Sequence, residues 1–298
     1  MPEQFCDVRG IRLCYETFGD PADPTVLLVM GLGTQMLGWH EDFCAMLADR
    51  GFHVVRYDNR DVGRSARVRA RPPTMWQLVR RDRSAAAYSI ADMADDGLGL
   101  LDWLGVPRAH AVGASMGGMI AQTMAARHPD RVLSLLSIMS STGHRWTGQP
   151  ALGVVPVLLR RAPSGREAWI EHMVKVWGLI GSPGFPRDDD ELRDRMALAY
   201  ERGHDAAGSG RQLAAVIAAG DRTPELRSIR VPTLVVHGDS DKLVRPSGGR
   251  RTADTIPGAQ LMTVTGMGHD LPRDVWPRIV DGITATAARA AAPAAAAG

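Results

Sequence analysis

Lysine is nearly absent: the chain has 35 basic residues, and only Lys175 and Lys242 are lysine. With 32 glycines and an alanine-rich background, we read this as genomic bias rather than function. Cysteine is equally scarce. Cys6, Cys14 and Cys44 are odd in number and lack metal-ligand spacing, which excludes a disulfide framework or a zinc knuckle. The first ten residues, MPEQFCDVRG, have no basic or apolar stretch of the kind a secretory signal needs. The longest apolar run, Val26 to Met30 and a little beyond, is far too short to span a bilayer, so no membrane span is expected. Together these features predict a reduced, cytoplasmic protein. A net charge of only +2 supplies no global field toward nucleic acid or an anionic membrane, and no nucleic-acid partner is expected. No G-x-x-x-x-G-K-[ST] and no H-E-x-x-H occurs. The pair Gly31 and Gly33 does not extend to a dinucleotide loop, because position 36 is Met36. No phosphate loop, catalytic metal or cofactor is therefore expected.

One local exception to the charge balance runs from Arg64 to Arg83, with Arg67, Arg69, Arg71, Arg80 and Arg81 between. It reads as a solvated loop and helix face, with an anion-binding surface as the alternative.

What is present is alternation. Two short runs over 4–18 turn at Arg9-Gly10 as a hairpin. Buried strands follow at 25–30, 52–58, 108–114 and 131–139, with helices between them at 39–50, 89–105 (Ser89 as N-cap) and 116–128. Strand–helix alternation of this kind specifies a parallel sheet with right-handed crossovers. From 144 to about 227 only helical patterns appear: one at 167–180, one opening at Asp188 with Glu191 as capping-box partner, and one carrying Leu213, Val216 and Ile217. Alternation resumes with strands at 231–238 and 259–264 and a closing helix from about Asp274. The expected organisation is an α/β core over 1–142 and 226–286, a helical cap over 143–225, and an alanine-rich disordered tail over 287–298.

The chemistry concentrates at Gly113-Ala114-Ser115-Met116-Gly117, a G-x-S-x-G after a strand and before a helix, the setting of a nucleophile elbow. A serine needs a base. His269, in the glycine-rich loop after the last strand, fits better than the other eight histidines. The imidazole needs a carboxylate, and the loop Gly238-Asp239-Ser240-Asp241 offers two. Asp241, further from the strand, is favoured to reach the histidine, and Asp239 is assigned to the turn. The donors for an oxyanion are the backbone amides of Met116 and Leu32.

These stretches, VMGLGTQMLGW, RYDNRDVGRS, VGASMGGMIAQ, VPTLVVHGDSD and IPGAQLMTVTGMGHDLP, resemble the α/β-hydrolase superfamily over 25–142 and 226–286. The chain is similar in particular to its actinobacterial esterase and lipase-like group, which includes anthracycline methyl esterases. The resemblance implies an α/β-hydrolase fold, Ser115, Asp241 and His269 as the triad, and Leu32 and Met116 as the oxyanion hole. Where the family usually has His-Gly before that loop, this chain has Met30-Gly31.

The expected activity is hydrolysis of a small-molecule carboxylic ester through an acyl-enzyme. Thioesterase, lactonase, carbon–carbon hydrolase and perhydrolase activities share the same triad, and a non-catalytic ligand receptor is the alternative of another class. Met139, Trp146, Met173 and Trp177, with Trp169, are expected to line an apolar substrate pocket, or else to pack as ordinary core.

Overall fold

A computed structural model describes residues 2–158 and 163–291. The hairpin of β1 (Gln4–Val8) and β2 (Ile11–Phe18) turns through Arg9 at φ 51° and Gly10 at φ 81°. Positive φ at both positions is the two-residue turn whose twist matches the strands it joins. The core follows as β3 (Thr25–Val29), α1 (Glu41–Ala48), β4 (His53–Tyr57), α2 (Met75–Val79), α3 (Ile90–Trp103), β5 (Ala109–Ala114), α4 (Met116–Arg127) and β6 (Val132–Ile138). Helices α5 (Val155–Leu158), α6 (Arg166–Ile180), α7 (Asp189–Gly203), α8 (Ala206–Ala219) and α9 (Thr223–Leu226) come next. The chain ends with β7 (Thr233–Gly238), α10 (Ser247–Thr255), β8 (Gln260–Val264) and α11 (Trp276–Ala291).

The eight strands form one sheet in the order β1-β2-β4-β3-β5-β6-β7-β8. Only the β1–β2 and β2–β4 pairs are antiparallel. Strands β3, β4, β5 and β7 are buried along their whole length, which explains why they read as continuous apolar runs. Met93, Leu100, Ile120 and Met124 of α3 and α4 pack in the cluster on one face. Phe43, Leu47, Ile279 and Ile283 of α1 and α11 pack in the cluster on the other.

Local signals work where they are local. Ser89 caps α3 in a reciprocal box with Asp92. At α7 the side chain of Asp188 accepts from the amides of Asp190 and Glu191, but Glu191 does not complete the expected box. Its carboxylate bonds Arg273 Nη2 at 2.7 Å instead, since a charged donor from another segment outcompetes a backbone amide. Helix α11 continues to Ala291 with Ala287 buried, so the expected tail boundary at 287 falls inside the helix. Residues 292–298 lie outside the described residues.

The helices between β6 and β7 are tied to the loop after β4 by buried charge. Arg202 of α7 donates to Asp58 Oδ2 at 3.0 Å, to Glu3 Oε1 at 2.6 Å and to the side-chain oxygen Oε1 of Gln35. Arg211 of α8 forks onto Asp61 at 2.7 and 2.9 Å, and Tyr88 donates to the same carboxylate at 2.7 Å. Asp58 also accepts from the amides of Met36 and Arg64. Replacing Arg202 by Leu leaves that carboxylate buried without its cation. The expected cost is about 3 kcal/mol, measured as a shift in the denaturation midpoint with unchanged slope. A change under about 0.5 kcal/mol would mean the pair contributes nothing net.

Candidate active site

Ser115 sits between β5 and α4 with φ 56°, a conformation that costs a non-glycine residue of order 1 kcal/mol or more. Its amide donates to Ile138 O at 2.9 Å, which holds the turn against β6. A Cβ at Gly113 would run into the carbonyl of Gly117, and one at Gly117 into the carbonyl of Val29. The two motif glycines are thus close approaches of backbone to backbone. They let α4 start directly behind the serine, with the positive end of its dipole at the hydroxyl.

His269 Nε2 lies 2.9 Å from Ser115 Oγ, and His269 Nδ1 lies 2.7 Å from Asp241 Oδ2. Asp241 is buried. Burial alone would raise its pKa, but the charge of His269 and hydrogen bonds from His237 and His269 hold it down to about 2. Its other oxygen accepts the amides of Leu243 and Val244, each at 2.9 Å. An ionised Asp241 only accepts, so Nδ1 carries the imidazole proton and Nε2 is left to accept from the serine hydroxyl. Asp239 is elsewhere: its Oδ1 takes the Gly266 amide at 2.8 Å and closes the turn. Gly31 abuts the serine so closely that a Cβ there would stand 3.1 Å from Ser115 Cβ. Beside it, the amides of Leu32 and Met116 make no hydrogen bond among the described residues.

A hydroxyl, an imidazole and a buried carboxylate in this chain order and spacing can activate the oxygen as a nucleophile. The serine aminopeptidase, S33 family model matches residues 20–275. The chain belongs to the α/β-hydrolases. The hydrolase is 30% identical over 293 residues to rhodomycin D methylesterase DnrP of Streptomyces peucetius, covering 91% of this chain and 93% of that protein. It is 25% identical over 249 residues to 3-oxoadipate enol-lactonase 2 of Acinetobacter baylyi, covering 83% of each. Among solved structures it resembles the enol-lactonase of Burkholderia xenovorans, with a TM-score of 0.70 and 26% identity over 95% of this chain and 99% of that one.

In this hydrolase the helices inserted between β6 and β7 touch the loops that follow β3, β4 and β8, so they lie at the sheet edge that carries Ser115. The carboxamide of Gln212, fully buried on α8, accepts from Gly33 N at 2.8 Å and donates to Arg60 O at 2.8 Å. Gln35 Nε2 donates to Ala199 O at 2.6 Å near the end of α7. The end of α6 grips the histidine loop. His269 N donates to Ile180 O at 2.7 Å, Gly268 N to Ser182 Oγ at 2.8 Å, and Ser182 Oγ to Asp270. Burial raises the pKa of Asp270, and the serine hydrogen bond opposes it. None of these clamps was legible in the sequence, because each joins residues far apart in the chain with no motif of their own.

A cleft between α6, α7 and the loop at Gly33 is lined by Trp169, Met173, Trp177, Met196 and His204. Met173 and Trp177 are thus among the side chains that line this cleft. Trp146 is not among them: it is 71% exposed, with the Arg145 guanidinium 4.6 Å from its ring. Met139 is packed in the core cluster with Met30 and Met267, at φ 42° just beyond β6. The chain leaving β6 runs to the carboxyl end of α8, where Gly143 meets the carbonyl of Gly220, and not to the α6–α7 cleft, so Trp146 is carried away from it.

A carboxylate held below its ordinary range stabilises the fold while ionised. For Asp241 that contribution is present above about pH 4. It is lost as pH falls toward the folded value of about 2. Asp241→Asn should therefore flatten the acid limb of a plot of denaturation midpoint against pH. An unchanged limb would assign acid sensitivity to other carboxylates.

Proposed function

We propose that this hydrolase cleaves carboxylic esters through an acyl-enzyme, with Ser115, His269 and Asp241 as its catalytic triad. The observation that carries this reading is the continuous path Asp241 Oδ2–His269–Ser115 Oγ, with links of 2.7 and 2.9 Å. Ser115 Oγ attacks the ester carbonyl as His269 Nε2 takes its proton. The tetrahedral oxyanion is met by the amides of Leu32 and Met116. His269 returns the proton to the departing alcohol, then deprotonates the water that releases the acid and restores Ser115. Asp241 stays ionised throughout and stabilises the imidazolium. The similarity to a methylesterase and to an enol-lactonase supports an acyl carbon bonded to oxygen as the reacting group.

Ser115→Ala should fold normally and lose roughly 10⁴- to 10⁶-fold in kcat. Asp241→Asn should cost on the order of 10⁴-fold by favouring the wrong tautomer, whereas Asp239→Asn should act on turn stability. Labelling of wild type at Ser115 by a fluorophosphonate, with none in Ser115→Ala, separates a working hydrolase from a receptor. Near-wild-type turnover without Ser115 would sink the assignment.

Gln212 acts as a positioning residue by fixing the Gly33 amide beside the proposed oxyanion donor Leu32. Gln212→Ala should lower kcat roughly 10- to 100-fold with KM little changed. Equal loss of kcat and thermal stability, restored together on cooling, would mark it as merely structural.

The inserted helices are proposed to cap the site and choose the substrate, with Met173 and Trp177 as its apolar wall. Trp177→Ala should shift the preference along a series of p-nitrophenyl esters of rising acyl length more than it changes acetate turnover. Uniform loss across the series would assign Trp177 to packing alone.

A further inference from the structure

The net charge of +2 conceals a strong local imbalance. Between residues 64 and 83 seven arginines face one acid, Asp82, and Asp82 is engaged by the amide and hydroxyl of Ser84. Arg64 and Arg67 have partners in Glu3 and Asp205. Arg69, Arg71, Arg80 and Arg81 are exposed and make no ion pair among the described residues. This segment lies along α8, with Ala70 O bonded to Arg211 at 3.2 Å and Arg83 Nε bonded to Ala218 O at 2.9 Å.

Within the segment, α2 turns apolar side chains to solvent: Met75 is 50% exposed, Trp76 72% and Val79 56%. Positions i, i+1 and i+4 share one face of a helix. Arg80 stands over the Trp76 ring at 5.6 Å. A cleft of about 510 Å³ then joins Arg81 and Arg83 to His144 and Arg145, with Asp221 its one acid. Exposed Trp146 follows directly.

We propose that this surface docks the protein peripherally on membranes rich in anionic phospholipid. Guanidinium groups spread over a patch are matched by anions spread over a surface, which a headgroup layer presents. Tryptophan beside arginine is the pairing that settles at the headgroup level, with valine and methionine reaching just below it. The patch belongs to α2 and the 143–146 segment, not to the triad, so docking is independent of the chemistry proposed above.

Sedimentation with sucrose-loaded vesicles tests this directly. Wild type should pellet with equimolar phosphatidylcholine and phosphatidylglycerol at low salt, be released at high salt, and ignore phosphatidylcholine alone. Arg80→Gln with Arg81→Gln should weaken binding about fivefold per arginine, and Trp76→Ser roughly tenfold. All should keep wild-type turnover of a water-soluble ester, which shows that they fold. No pelleting with anionic vesicles, or pelleting indifferent to these substitutions, would overturn the proposal. So would a concentration-dependent dimer abolished by Trp76→Ser without vesicle binding, which would assign the patch to a second copy.

Discussion

Everything at the site depends on how closely three backbones approach one another around Ser115. The carbonyl of Val29 occupies the place a Cβ would take at Gly117, and the carbonyl of Gly117 the place of one at Gly113. With β3, β5 and α4 in such contact, the chain reverses in a single residue, and that residue has to adopt φ 56°. The strain is held because both flanks are buried in close-packed structure that cannot relax. A longer turn would let the serine retract among its own helix. This one projects it beyond the sheet edge, where loops from other strands can reach it.

Those loops are not held by the core alone. The one after β3 is bonded to Gln212 of α8, the one after β4 to Arg202 and Arg211, and the one after β8 to the carboxyl end of α6. Arg222, buried, donates to the carbonyls of Met119 and Ser141 and pins the far end of the insertion onto α4. Such contacts are a poor design for a lid that swings as a rigid body, because opening would strip buried carboxylates of their cations. They suit an insertion whose inner helices stay fixed on the core loops and leave freedom only to side chains at the α6–α7 cleft.

The sequence disclosed what local chemistry dictates. Buried parallel strands show as apolar runs, Ser89 shows its cap, and the spacing of Gly113, Ser115 and Gly117 shows the elbow. That Asp241 stands beside His269 while Asp239 closes the turn was legible too, since a residue next to a strand end is drawn into its turn. What stayed hidden was pairing across long separations. Nothing near Glu191 announces Arg273, and nothing in α8 marks Gln212 as a partner of Gly33. Trp146 misled for the related reason that an aromatic on an irregular segment has no periodicity to say which way it faces.

The Met30-Gly31 pair, where the resemblance leads one to expect His-Gly, fits the same dependence on backbone. Asn59 Nδ2 donates to Met30 O at 2.9 Å, Thr34 N to Gly31 O at 3.3 Å, and Gly33 N to Gln212 at 2.8 Å. Each fixes a peptide group on either side of Leu32 and leaves the Leu32 amide as the donor without a partner among the described residues. A side chain at position 30 adds nothing to that arrangement beyond filling space, and Met30 does so against Gly38, where a Cβ would come within 2.6 Å of its terminal methyl. The loop therefore keeps its shape through bonds to main-chain atoms, which any residue supplies, and so tolerates the apolar Met30.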